Sequence, residues 1–199
     1  MVSLNDIREA FIKQGTDKGP LRHGYHHMYH EVFKLMGAPN KLLEVGIAQG
    51  RSLAAWSNLF PEAIIDGVDI EEPKFRGIDT KHARLLCGDT TKESIVEIVD
   101  HNYDIIIDDG CHTPEAIQTT FDNLRSCWSK IYVIEDIAGP EHVERIRMHL
   151  RKRGFRRIDQ YSSKEKSTFF LQTDPSSEIR TVLAFQSALV VHPRAIVSS

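Results

Sequence analysis

Two kinds of segment alternate along the chain. Five short apolar runs have the length and β-branched content of strands, and they cover residues 41–45, 63–68, 84–87, 103–107 and 131–134. Between them, stretches at about 51–59, 91–100, 114–126 and 140–153 have helical length and an amphipathic spacing. Continuous apolar strands that alternate with helices predict a parallel sheet covered on both faces, which is the doubly wound α/β class.

The two ends of the chain complete this predicted sheet. Residues 3–13 and 25–36 are predicted to be helical, and the runs 155–161 and 167–172 predict an antiparallel hairpin at one sheet edge. We therefore expect a mostly parallel seven-stranded sheet with helices on both faces and a C-terminal antiparallel hairpin. The predicted domain comprises a helical cap (1–38) and a core (39–173). The tail, 174–199, is left open between a strand, a partner-binding segment and disorder.

Composition narrows the classes of function. The 199 residues include 28 acidic and 25 basic side chains, and the resulting net charge of −3 argues against a main role in electrostatic capture of nucleic acid or membrane. The three cysteines form no CxxC pair, which argues against a disulfide framework or a thiolate zinc site. The sequence contains neither a signal-peptide pattern nor an apolar run of roughly 20 residues, so we expect a cytoplasmic protein without a membrane partner.

The residues that follow the first three strands suggest a cofactor site, because open parallel sheets bind ligands beyond the carboxyl ends of their strands. Gly46, Ala48 and Gly50 are small enough to let the backbone turn tightly near a ligand, although a plain strand-to-helix turn needs the same residues. Asp69 closes the second strand, where a carboxylate can accept hydrogen bonds from ribose hydroxyls. Asp89, after the third strand, is interpreted either as an adenine contact or as a helix N-cap.

Glu44 distinguishes between two cofactors that contain ribose. A dinucleotide fingerprint requires a third glycine, whereas this chain has Arg51, Ser52 and Leu53 there. An acidic residue beside the glycines suits a cationic sulfonium and an amino group better than a pyrophosphate. S-adenosylmethionine (SAM) is therefore favoured over NAD, and Glu44 is interpreted as a cofactor ligand, with a hydrogen-bonded strand carboxylate as the alternative.

Four carboxylates follow the fourth and fifth strands. If these strands are neighbours about 4.8 Å apart, their terminal side chains share one edge of the sheet. An all-oxygen cluster favours a hard cation, so Mg²⁺ is predicted, with Ca²⁺ or Mn²⁺ as alternatives, and the proposed ligands are Asp109, Glu135 and Asp136. Asp108 is interpreted as a structural or cofactor-facing carboxylate. The alternative for the whole cluster is a set of helix N-caps.

His112 is the candidate catalytic base. It follows Asp109 by three residues in the same predicted loop, where a neutral imidazole could remove a proton from a metal-bound substrate hydroxyl. The chain has 10 histidines, so a loop histidine without a catalytic role is the alternative.

The sequence resembles the class I SAM-dependent methyltransferases, and in particular the small metal-dependent O-methyltransferases that modify macrolide sugars, together with a related cephalosporin hydroxylase-like group. The resemblance covers roughly residues 14–172. It is based on Gly15-Thr16-Asp17-Lys18, His23, Tyr25, Tyr29, Phe33, Leu43-Glu44-Val45-Gly46, Ser52-Leu53, Trp56, Phe60-Pro61, Gly67-Val68-Asp69-Ile70, Asp108-Asp109-Gly110-Cys111-His112 and Glu135-Asp136.

This resemblance implies a Rossmann-like methyltransferase fold and specific roles for the motifs. Asp109, Glu135 and Asp136 would hold Mg²⁺, His112 would act as base on a sugar hydroxyl, and Asp69 would hold the ribose. The cofactor set it implies consists of Thr16, Asp17, Lys18, Glu44, Gly46, Ala48, Gly50, Ser52, Asp69, Asp89 and Asp108. The sequence departs from the family pattern at Ala48, where many methyltransferases have glycine, and after Asp89, where an expected glutamine is missing.

The expected function is SAM-dependent and Mg²⁺-dependent methylation of a hydroxyl on a small molecule, such as a sugar or a glycosylated natural product. One alternative is an RNA-cap or ribose 2′-O-methyltransferase, because basic residues cluster within 145–157, although such a cluster also occurs on solvated helix faces. A second alternative is a non-catalytic SAM-binding or interaction module. Homo-oligomerisation is a further expectation.

Overall fold

The computed structural model describes residues 1–72, 83–162 and 187–192. Its helices are α1 (Leu4–Gln14), α2 (His26–Met36), α3 (Arg51–Leu59), α4 (Pro114–Leu124) and α5 (Gly139–Lys152). Its strands are β1 (Lys41–Val45), β2 (Ile64–Asp69), β3 (Ala83–Cys87), β4 (Tyr103–Asp108), β5 (Trp128–Ile137), β6 (Ile158–Ser162) and β7 (Ser187–Val191). The predicted helix at 91–100 is a single 3₁₀ segment, Glu93–Glu97, so that prediction was too long.

The seven strands form one sheet in the order β3-β2-β1-β4-β5-β7-β6. Strands β1 to β5 pair in parallel, whereas β7 is antiparallel to both β5 and β6. This confirms the predicted seven-stranded α/β sheet with an antiparallel C-terminal hairpin. The strand order reverses between β1 and β4, which is where open α/β sheets form a binding crevice.

The C-terminal hairpin is built differently from the prediction. Strand β6 pairs with residues 187–191, while the predicted partner run, 167–172, lies outside the described residues. Strand β7 belongs to the segment that the sequence left open, and three of the four hydrophobic side chains in it are wholly buried. The sheet therefore extends beyond residue 173, and that position does not separate the core from a tail.

Alternating strand residues supply two apolar cores. Ile105 and Ile107 of β4 pack with α1, α2 and α3 on one face, whereas Ile106 faces α4 and α5 on the other. Phe11, Tyr29 and Trp56 are buried within the first face. Because helices cover both faces of the sheet, side chains that bind ligands are accessible where the strands end.

Local sequence signals explain where several helices begin. Ser3 and Asp6 form a reciprocal capping box at α1, and Thr113 caps α4 ahead of Pro114. The N-cap of α5 is Ala138. The capping alternative therefore holds for Thr113 but not for the carboxylates, since neither Asp109 nor Asp136 is the N-cap of α4 or α5.

The structure predicts a pH-dependent contribution to stability from His26, at the start of α2. Burial lowers the pKa of His26 to about 4, with additional effects from His27 and Arg8. Between this value and an unfolded pKa of about 6.5, the unfolded chain binds more protons, so folding stability decreases as the pH falls. We expect a contribution of about 2 kcal/mol to be lost between pH 7 and pH 4.5.

Urea denaturation of wild type and His26→Gln at the two pH values measures this contribution. Glutamine does not titrate, so the variant should lose less stability than wild type over the same pH interval. Equal losses in the two proteins would show that His26 is not responsible.

Candidate active site at the carboxyl edge of the sheet

The turn after β1 uses backbone conformations that favour small residues. Gly46, Ala48 and Gly50 have positive φ angles of 77°, 42° and 73°. A Cβ on Gly46 would overlap the backbone oxygen of Asp109, because the loops after β1 and β4 lie against each other there. The small residues predicted from the sequence thus allow the close approach of two strand ends at the crevice.

Asp69 lies against this turn. Its Oδ2 accepts hydrogen bonds from the backbone N–H groups of Ile47 at 3.0 Å and Ala48 at 3.3 Å. The carboxylate therefore fixes the β1 turn, and it does so from the end of the neighbouring strand, where the sequence predicts a ribose contact.

Glu44 is a buried carboxylate at the end of β1. It is wholly inaccessible to solvent, and neither oxygen makes a hydrogen bond to any described residue. Its closest cation is Lys18 Nζ, 3.4 Å from Oε1. Burial raises the pKa of Glu44 to about 7, although Lys18 opposes this effect. An orphaned buried acceptor of this kind fits a cationic or hydrogen-donating ligand group.

The end of β5 brings two consecutive carboxylates to the same edge. In a regular strand, neighbouring side chains point to opposite faces. Here the register shifts between Ile134 and Ile137, and Asp136 has a φ of 51° in the left-handed region. This irregularity turns Asp136 towards the loop after β4, while Glu135 faces the core beneath it.

Lys18 is enclosed by three carboxylates. Its Nζ lies 2.6 Å from Asp109 Oδ2, 2.7 Å from Glu135 Oε2 and 3.4 Å from Glu44 Oε1, and the side chain is 1% exposed. Burial alone would lower the pKa of Lys18, but the carboxylates of Glu135, Asp109 and Glu44 raise it well above its usual value. The ammonium group is therefore a permanent positive charge within the acidic cluster.

A second group of ligand atoms lies beside this buried network. Asp109, His112 and Asp136 each offer one ligand atom, and these atoms all lie within 4.8 Å of one another. The two carboxylates at this spacing fit a hard divalent cation such as Mg²⁺ or Mn²⁺, and the His112 imidazole lies beside them within reach of a molecule bound there. Glu135 is not part of this group. Its two oxygens accept hydrogen bonds from Lys18 and Tyr29 instead.

The structure also places the remaining predicted residues. Asp108 is buried on the face of the sheet that packs against α4 and α5, where it accepts a hydrogen bond from Tyr132. Burial raises the pKa of Asp108 to about 7. Asp89 accepts hydrogen bonds from the backbone and hydroxyl of Thr91, a local turn contact. Ser52 is buried in the first turn of α3. The roles of these side chains towards a cofactor stay predictions.

Residues 15–25, which we call the strap, connect α1 to α2. Within it, the Thr16 hydroxyl accepts a hydrogen bond from the Lys18 backbone at 3.4 Å, and Asp17 Oδ2 lies 3.6 Å from His23 Nε2. Arg51, at the start of α3, donates a hydrogen bond to the backbone oxygen of Gly15. The strap therefore connects the β1 turn to the carboxylates at the ends of β4 and β5.

Sequence reasoning missed the polar roles of Tyr25 and Tyr29. The two residues lie four positions apart at the start of the predicted helix 25–36, and both rings are buried. Their hydroxyls, however, donate to Asp136 and Glu135. The sequence signal for these roles is that Tyr25 and Tyr29 follow Lys18 closely along the chain.

Three of the seven lysine and arginine side chains at 145–157 form ion pairs within the protein. Arg145 pairs with Glu115, Arg153 with Asp122 and Arg157 with Asp159. Arg147 donates a hydrogen bond to Gln160. These contacts favour a solvated, internally paired helix face over a phosphate-binding surface.

Comparisons with known proteins identify similar enzymes. No family model matches the chain. A 3′-O-methyltransferase acting on 8-demethyl-8-(2-methoxy-α-L-rhamnosyl)-tetracenomycin C, from Streptomyces olivaceus, is 32% identical over 145 residues, covering 66% of this chain and 37% of that protein. Mycinamicin VI 2″-O-methyltransferase from Micromonospora griseorubida is 28% identical, with coverage of 66% and 36%.

A solved structure shows the same relationship. The MycE methyltransferase from the mycinamycin biosynthetic pathway, in complex with Mg, SAH and mycinamycin VI, has a TM-score of 0.58 and 27% sequence identity, covering 66% of this chain and 39% of that one. The predicted resemblance to sugar O-methyltransferases is thereby confirmed. The chain spans little more than a third of the length of the curated relatives it matches. Across the described residues, no helix has the length and apolar character needed to cross a membrane.

Proposed function

We propose that the chain catalyses the transfer of a methyl group from SAM to a hydroxyl of a glycosylated small molecule, with Mg²⁺ or a similar divalent cation at Asp109 and Asp136. The observation that carries this proposal is the position of the Asp109, His112 and Asp136 ligand atoms, within 4.8 Å of one another. This group lies at the β1–β4 crevice, where the loop after β4 contacts the cofactor-type turn at Gly46.

The cofactor half of the site has defined roles for the turn at 46–50, Asp69 and Glu44. The turn at 46–50 lets the backbone approach SAM, and Asp69, which already holds this turn, accepts hydrogen bonds from the ribose. Glu44 accepts a hydrogen bond from the cationic methionine end, which would satisfy its orphaned oxygens. Thr16, Asp17, Lys18, Ser52, Asp89 and Asp108 complete the proposed cofactor set.

The acceptor half of the site consists of the cation ligands and a base. A bound divalent cation lowers the pKa of a coordinated hydroxyl and orients it. Asp109 and Asp136 hold the cation, and His112, exposed in the loop after β4, takes the hydroxyl proton. Glu135 would join the ligand set only by sharing an oxygen that already accepts a hydrogen bond from Lys18 or Tyr29.

The acceptor class is proposed from the relatives, which are named for O-methylation of a rhamnosyl-tetracenomycin and of mycinamicin VI. A cap at 1–38 on a Rossmann-like core remains our proposed organisation, with the core extended to include β7. Cytoplasmic location and homo-oligomerisation also stay proposals. The internal pairing of the basic cluster gives the RNA alternative no support.

Calorimetry with SAM, in the presence and absence of Mg²⁺, tests the proposal. We expect wild type to bind SAM and to methylate rhamnosyl-tetracenomycin or mycinamicin VI, the acceptors named for the relatives. Asp109→Asn should keep SAM affinity within a few-fold but lose metal-dependent turnover, because it removes one charged ligand next to an intact β1 turn.

Asp100→Asn is the matched control, since Asp100 pairs with Lys41 and Arg84 away from the proposed site. It should retain both SAM binding and turnover. A wild-type chain that fails to bind SAM at millimolar concentration would refute the enzymatic proposal and favour an interaction module. Full turnover in excess EDTA would show that the reaction does not require a divalent cation.

A further inference from the structure

Asp136 adopts a backbone conformation that few residues with a Cβ adopt. Its φ of 51° places a residue with a Cβ in the left-handed region, a conformation that costs about 1–2 kcal/mol relative to ordinary backbone. The same conformation brings the carboxylate to Asp109 and His112. A contact that stabilises this conformation therefore also helps to maintain the ligand geometry.

Tyr25 makes two hydrogen bonds to Asp136. Its hydroxyl donates to Asp136 Oδ1 at 2.7 Å and accepts from the Asp136 backbone N–H at 3.3 Å. The tyrosine is 2% exposed, and its ring stacks on His23, with the ring centroids 5.5 Å apart. A single rigid side chain thus fixes both the backbone and the carboxylate of the same residue.

Tyr29 forms a parallel contact one helical turn later. Residues four positions apart lie on the same side of a helix, so the two hydroxyls reach the adjacent carboxylates of Glu135 and Asp136. Tyr29 donates to Glu135, whose other oxygen already accepts from Lys18. Glu135 therefore has a second anchor. The Asp136 carboxylate is contacted on both oxygens, because Tyr25 donates a hydrogen bond to Oδ1 and His23 Nε2 lies 3.7 Å from Oδ2.

We propose that Tyr25 is a positioning residue for the cation site, because it orients the Asp136 carboxylate towards Asp109 and His112. The inference rests on the proposed function, since it assumes that Asp136 is a cation ligand. It also makes the end of the strap part of the candidate active site. Side chains that orient metal ligands typically change metal affinity by 10- to 100-fold when removed.

Mn²⁺ binding to the full chain, followed by electron paramagnetic resonance, tests this role without requiring turnover. Tyr25→Phe should weaken Mn²⁺ binding by about 10- to 100-fold. Tyr29→Phe should weaken it less, because Lys18 still holds Glu135. Tyr103→Phe is the matched control, since Tyr103 is a buried tyrosine whose hydroxyl donates to Asp66 at 2.6 Å, outside the candidate site. It should bind Mn²⁺ like wild type.

The control separates positioning from general destabilisation. Tyr25→Phe and Tyr103→Phe each remove a buried tyrosine–aspartate hydrogen bond, so thermal unfolding should detect a loss in both, whereas Mn²⁺ affinity should fall only in the first. Tyr25→His, which retains a ring N–H donor, is the second variant. It should bind Mn²⁺ more tightly than Tyr25→Phe and less tightly than wild type.

The outcomes also separate this inference from the proposed function. Wild-type Mn²⁺ affinity in folded Tyr25→Phe would overturn the positioning role and leave the cation site intact. An equal loss in Tyr25→Phe and Tyr103→Phe would likewise overturn it. If the wild-type chain binds SAM but no Mn²⁺, the proposed function does not include a cation. The positioning role of Tyr25 is then refuted as well.

Discussion

Lys18→Met is expected to lower the free energy of unfolding by about 3–5 kcal/mol, the range for removing one partner of a buried ion pair. Methionine keeps most of the side-chain volume, so the loss is one of charge rather than packing. The substitution leaves the carboxylates of Glu44 and Glu135 buried without their cation, since both are almost wholly inaccessible. Urea denaturation in the presence of EDTA measures the effect.

Lys41→Met provides the comparison. Lys41 pairs at 2.8 Å with Asp100, whose side chain is 46% exposed, so its removal should cost about 1 kcal/mol or less. Addition of Mg²⁺ should return part of the stability of Lys18→Met, because a divalent ion can offset the charge of the same cluster. A loss below about 1 kcal/mol for Lys18→Met would show that the ammonium is not the main counter-charge of the cluster.

His112→Ala should reduce turnover by about 10²- to 10⁴-fold, which is the usual contribution of a general base. The side chain is exposed in the loop after β4, so the free energy of unfolding should change little. Because Asp109 and Asp136 remain, Mn²⁺ affinity should stay within a few-fold of wild type. Single-turnover methylation at saturating SAM isolates the chemical step from cofactor binding.

His27→Ala is the control, because His27 is also exposed but lies on α2, outside the ligand group. It should retain full turnover. If His112→Ala loses Mn²⁺ affinity in proportion to turnover, His112 acts as a cation ligand and the base must be sought elsewhere. The experiment therefore decides between the two roles that one imidazole could have at this position.

The sequence predicted the site best where a local pattern carried the chemistry. The bounds of β1 agree with the predicted strand, and the small residues at 46, 48 and 50 coincide with three positive φ angles. Asp109 and Asp136 were predicted as neighbours because they follow two apolar strands. These features depend on strand length, glycine conformation and the common edge of parallel strands, all of which are readable over a few residues.

Predictions failed or remained open where the position of a residue depends on contacts with distant parts of the chain. The partner strand of β6 is separated from it by the undescribed segment 163–186 and belongs to a run whose apolar pattern fits several structures. Glu135 was grouped with Asp136 because the two are consecutive. The bulge in β5 gives them different surroundings, and regular strand geometry does not predict it.

By itself, the sequence determined the α/β class, the edge of the sheet that carries the candidate site and the acidic character of that edge. Tertiary structure alone decided how the acidic charge is balanced. Lys18 meets Asp109 across 91 positions and Glu135 across 117, and Tyr25 meets Asp136 across 111. Periodicity encodes which face of an element is apolar, whereas contacts over such separations arise only once strand order, register and the path of the strap are fixed.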